Sequence, residues 1–115
     1  SMIPPIAERT WVAEHEHDDE VGSFAIERVG DVDPDKLNRW LSRLLSEKGV
    51  DIFRTKGFIS YSGESRRIVF QGVHMLFTSQ PDREWGNEPR RNQLVFIGRN
   101  LDEEALQSGF DKCLT

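Results

Sequence analysis

The stretch "DPDKLNRWLSRLLSEKG", residues 33–49, limits the possible folds more than any other part of the chain. Asp33 can cap free amides at a helix start, and Pro34 at the first helical position has no amide to leave unpaired. Leu37, Trp40, Leu41, Leu44 and Leu45 then recur at i, i+3, i+4, i+7 and i+8, and Gly49 stops the run. Lys36, Arg39, Arg43 and Lys48 lie off that stripe. A helix with one apolar face needs one partner layer, and the segments around this helix read as strands.

Before the helix, Phe24 and Ile26 alternate with Ala25 and Glu27 between Val21 and Val29, the period of a half-buried strand. After it come three strand-like runs. "DIFRTKGFISYSG" is interrupted at Gly57, where a bulge or a close backbone approach is expected. "RRIVFQGVHMLFTS" carries Val69, Gln71, Val73, Met75 and Phe77 on one face and Ile68, Phe70, Gly72, His74 and Leu76 on the other. Apolar residues on both faces of 68–77 suit a central strand covered on both sides, or one whose second face meets another domain. "NQLVFIG" is the third run, after a polar loop over residues 80–91 that holds Trp85. A last helix starts at Asp102, with Leu101 and Leu106 placed as a hydrophobic staple and Ala105, Leu106, Phe110, Cys113 and Leu114 as its buried face. The expectation is an α+β, two-layer β-α-β-β-β-α module, its sheet mostly antiparallel and both helices on one face.

The 115 residues suit one domain, and 37% hydrophobic with 30% charged residues is a globular balance. A net charge of -5 gives the chain as a whole no electrostatic footprint for nucleic acid. The single cysteine, Cys113, excludes an internal disulfide and every multi-cysteine zinc site. It reads as a small core residue on a helix stripe. No transmembrane run or signal peptide is visible, so the expectation is a soluble, cytoplasmic protein without a membrane partner. "SM" before "IPPIAERTW" resembles a tag-cleavage scar, and residues 1–20 read as tag remnant and interdomain linker, with the domain proper at 21–115.

No phosphate-binding loop, dinucleotide fingerprint, nucleophile elbow or HExxH helix is present, and nothing nominates a catalytic residue. The candidate metal ligands are His15, His17 and Asp18 in "EHEHDDEVGS". In an extended segment the two imidazoles share a side while Asp18 points away, so further ligands from Glu20, His74 or another domain would be needed. The other reading is a solvated acidic approach to the first strand. His74, in an apolar run, reads first as a hydrogen-bonded core histidine and second as a buried ligand or contact. Arg66, Arg67, Arg90, Arg91 and Arg99 flank the last two strands, and with carboxylates between them they suit salt-bridged edges or a domain-docking surface. Trp85 reads as an exposed interface anchor, or as a lid folded back on the sheet. The candidate interaction residues are therefore Trp85, His74 and Arg91.

Taken together, "HEHDDEVGSFAI", "FRTKGFI", "QGVHMLF" and "RRNQLVFIGRNLDEEAL" resemble the C-terminal domain of CobW-type P-loop GTPases, a family linked to cobalamin synthesis and zinc delivery. The resemblance runs from His15 to Leu114. It implies a regulatory or interaction domain serving zinc or cobalt delivery, whose partners are its own GTPase domain and a metalloprotein client. The family's GTP loop, magnesium ligands and CxCC motif lie in the GTPase domain, and no position here matches them. GTP and magnesium are thus expected only there, and this chain is expected not to be an enzyme. The family's histidine-rich interdomain stretch is echoed in short form at residues 15–19. The alternative is a self-contained module binding zinc or another divalent metal through that stretch, with a small stand-alone enzyme as a third reading.

Overall fold

The computed structural model describes residues 21–115. Strand β1 covers Val21–Val29 and helix α1 covers Pro34–Lys48. A short 3-10 turn, Gly49–Asp51, leads into β2, Ile52–Ile59. Strands β3 (Arg66–Val73), β4 (Leu76–Glu84) and β5 (Arg91–Arg99) follow, then helix α2, Glu103–Asp111. The strands form one sheet in the order β1-β5-β2-β3-β4, and every pairing is antiparallel.

The helices begin where their caps lie. Asp33 accepts hydrogen bonds from the amides of Asp35 and Lys36, and Asp102 from that of Ala105, so each carboxylate occupies amides that helix geometry leaves free. Leu37 and Leu41 of α1 and Leu106 and Phe110 of α2 drop into a core with Ile26, Leu94 and Phe96 of the sheet. Each such side chain taken fully out of water stabilises the fold by about 2 kcal/mol. Trp40 joins the layers, edge-on to Phe96 at 6.4 Å and to Phe110 at 6.1 Å. Both helices therefore cover one face of the sheet, and the architecture expected from the sequence is present.

The strand count differs by one. Residues 66–79 are not a single central strand but the two arms of a hairpin, with Val73 paired to Leu76 across a two-residue turn. His74, the first turn residue, has φ 59 and its amide donates to the Phe53 carbonyl. A reversal at a left-handed residue other than Gly or Asn carries no familiar turn signature, so the flanking apolar residues masked it. At Gly57, of the two readings, close approach is the one observed: a Cβ there would run into the Gln93 carbonyl and the Leu94 Cα. The register irregularity of β2 lies instead between Ile52 and Arg54.

Candidate interaction surface

Antiparallel partners point to the same side of a sheet, so the register divides each strand between the helix-covered face and an open one. Ile26, Leu94, Phe96, Ile59 and Phe70 point toward the helices. On the opposite face Ile97 pairs with Arg54, Arg54 with Val73, and Val73 with Leu76, a row across four strands. Ile97, Val73 and Leu76 are exposed there, by 39%, 62% and 71%. Val21 and Val29 of β1 are exposed on the same face. Scattered apolar residues are ordinary on a surface; here three of them line up in one row across the sheet.

Farther along the same face lies an aromatic and cationic cluster. The Phe58 ring has the Arg67 guanidinium 5.1 Å from its centroid and that of Arg91 at 4.9 Å, one from each neighbouring strand. Trp85 meets Phe58 edge-on at 6.3 Å, and Arg83 stands 6.0 Å from the Trp85 ring. Arg67 is ion-paired with Asp82 and Arg83 with Glu88. The Arg83 hydrogen bond, with the fields of Arg91 and Arg67 added, holds the Glu88 carboxyl below its ordinary range. Arg91 is exposed and makes no salt bridge among the described residues.

The three candidate interaction residues thus fare differently. Arg91 lies on the open face over an aromatic ring, without an ion pair among the described residues. Trp85 is not an exposed anchor: only 3% of it is accessible, because its amide donates to Ser65, its carbonyl accepts from Glu88, and the closed turn lays the indole against Phe58. Its ring nitrogen is buried without a partner among the described residues. His74 is neither a core histidine nor a buried ligand, since the hairpin turn carries it into solvent. Sequence reading missed Phe58 and the row of Ile97, Arg54, Val73 and Leu76, because β5 inserts between β1 and β2 and that pairing is not sequential.

His15, His17 and Asp18 lie outside the described residues. Among the described residues, no group of three or more His, Cys, Asp or Glu side chains is placed to hold a metal ion, and no helix is long and apolar enough to cross a membrane.

A five-stranded antiparallel sheet with helices on one face and an apolar and cationic surface on the other defines a two-layer α+β module. Residues 21–114 match the cobalamin synthesis protein cobW C-terminal domain, and the chain belongs to that family. It is 34% identical over 100 residues to the zinc chaperone YjiA of Escherichia coli (strain K12), a match covering 87% of this chain and 31% of that protein. The crystal structure of the Zn(II)-bound YjiA GTPase from E. coli superposes with a TM-score of 0.80 at 31% identity, over 91% of this chain and 32% of that one. A Zn(II)-bound triple mutant of the YjiA GTPase gives a TM-score of 0.80 at 33% identity, over 84% of this chain and 30% of that one. The chain spans about a third of the length of these relatives.

Proposed function

We propose that this chain is the C-terminal interaction and regulatory domain of a CobW-type GTPase that delivers zinc or cobalt, and that it contributes no catalytic group. In this reading residues 21–115 are the domain and residues 1–20 the linker to the GTPase domain. The observation that carries it is the open sheet face, where the row of Ile97, Arg54, Val73 and Leu76 and the Arg91–Phe58 pair offer apolar area with a cation at its side. Such a surface suits a partner held by burial in the middle and charge at the edge. We assign it to the GTPase domain, with metalloprotein clients reached by other surfaces. The test is titration of this chain with the separately purified GTPase domain of its parent, in GDP and in a non-hydrolysable GTP analogue. Association that depends on the nucleotide is the expected result. GTP turnover by this chain alone above buffer, or no association in either state, overturns the reading.

A second reading is favoured by "EHEHDDE" itself and by the Zn(II)-bound state of the related YjiA structures: a metal-binding module built on His15, His17 and Asp18. Zinc titration of the chain against a His15→Ala/His17→Ala double variant separates the two. Equal, weak binding by both proteins removes the metal module.

A further inference from the structure

On the helix-covered side, α1 and α2 do not close against each other along their whole length. A groove of about 510 Å³ runs between them. Trp40 and Leu44 line it from α1, Ala105 and Gly109 from α2. The helices can approach here because Gly109 has no side chain: a Cβ would collide with the Trp40 indole.

The rim is basic in a chain of net charge -5. Lys36, Arg39, Arg43 and Lys112 line the groove, are exposed, and make no salt bridge or side-chain hydrogen bond among the described residues. Of the carboxylates there, Asp51 pairs with Arg99 at 3.5 Å and Asp102 caps α2, which leaves Glu47. The Cys113 thiol is pushed up by burial and by Asp33, while Lys36, Arg39 and Arg43 pull it down.

Their distribution identifies the ligand class. Lys36, Arg39 and Arg43 are spaced along about 10 Å of helix rise rather than converging on one point. A single phosphate would need convergent donors, and the α2 N-terminus that could supply amides is capped by Asp102. A row of carboxylates beside an apolar stripe matches both the charge spacing and the apolar floor. We propose that this groove docks an acidic amphipathic helix of a partner protein, apolar side on Trp40 and Leu44, carboxylates against Lys36, Arg39 and Arg43. The groove and the open sheet face are on opposite sides of the sheet, so this docking rests on the reading that the GTPase domain takes the open face and leaves the groove free.

The test uses the full chain and a fluorescein-labelled synthetic helix of about four turns with leucines on one stripe and glutamates elsewhere, read by fluorescence anisotropy. A control peptide replaces each glutamate with lysine. The glutamate peptide should bind, roughly tenfold more tightly than the lysine peptide, and an Arg39→Glu/Arg43→Glu chain with an unchanged melting curve should lose roughly tenfold. No binding, equal affinity for both peptides, or no loss in the variant overturns the proposal. Displacement by millimolar inorganic phosphate would overturn it in favour of a small-anion site. A gain of roughly tenfold on Glu14→Gln/Glu16→Gln/Asp18→Asn/Asp19→Asn substitution in the full chain would overturn it in favour of the chain's own acidic stretch as occupant.

Discussion

The side-chain oxygen of Asn92 accepts the backbone amide of Ser60 at 2.7 Å, while the Asn92 amide donates to the carbonyls of Arg28 at 3.2 Å and Gly30 at 3.0 Å. Asn92 is 2% exposed and Ser60 fully buried, so one side chain ties the ends of β1, β2 and β5 where the sheet hydrogen bonds stop. Asn92→Ala leaves the buried Ser60 amide without its acceptor and takes a donor from the partly exposed Arg28 and Gly30 carbonyls. The expected loss is about 2 kcal/mol, most of it from the buried amide. Urea unfolding should show a lower midpoint at constant slope; a midpoint within error of the parent would mean that water replaces the asparagine at no cost.

Trp85 is held by packing, with its ring nitrogen unpartnered among the described residues. Trp85→Ala should cost roughly 3–5 kcal/mol through the cavity it leaves. Trp85→Phe loses ring volume but also removes a buried donor with no acceptor, and these effects oppose each other. The phenylalanine variant should stay within about 1 kcal/mol of the parent. Thermal melts of the pair check this, and an alanine variant as stable as the parent would restore the exposed-anchor reading.

Tyr61 is the only tyrosine, and burial pushes its phenol up to about 12 from 10.0. Burial disfavours the phenolate, so the folded state holds the proton more tightly than the unfolded one. The resulting stability is fully present below pH 10 and is lost as pH rises toward 12. The group is partly exposed, so screening reduces the effect to about 1–2 kcal/mol. Tyrosinate absorbance should titrate late in the folded protein and near the ordinary value in urea. Coincident titrations would sink the assignment, and Tyr61→Phe should remove this contribution to alkaline unfolding.

The helices were legible because their information is local: a cap, a proline and a stripe within one segment. The β3–β4 hairpin was not. Its turn residues are His74 and Met75, and the backbone there is held by a distant partner, the Phe53 carbonyl. Loop polarity left Trp85 open between an exposed anchor and a lid folded back on the sheet; the second is observed, and it depends on Phe58, another strand's residue. Arg91 could be suspected from its type and position. That it stands over Phe58 follows from β5 pairing with β2, a topology that period and composition do not encode.

Gly109→Ala tests the packing beneath the groove. Alanine is the better helix former by about 1 kcal/mol, which alone would stabilise α2. Its Cβ, however, would enter the space of the Trp40 ring, whose contacts with Phe96 and Phe110 join the two layers. Displacing a packed aromatic costs roughly 1–3 kcal/mol, so a net loss is expected, with a changed near-ultraviolet circular dichroism signal. A stabilised variant with an unchanged signal would show that Trp40 has room to move.

The open face gives the functional prediction. Val73 and Leu76 are exposed partners at the end of the β3–β4 hairpin, and neither belongs to the helix-covered core. Val73→Thr keeps a β-branched residue in the strand, and Leu76→Lys places a charge in solvent on the edge strand, where lysine is well tolerated. The double variant should therefore unfold within about 0.5 kcal/mol of the parent. Against the GTPase domain the same changes remove apolar area and insert an unpaired charge into a desolvated contact, so binding should fall by roughly tenfold or more. Arg91→Ala on the same face should weaken binding less, because a cation at the edge of a contact steers association more than it holds it. Calorimetric titration of the three proteins ranks these effects. If the double variant binds as the parent does while Arg39→Glu/Arg43→Glu abolishes association, the GTPase domain sits on the helical side and the open face is left to a different partner.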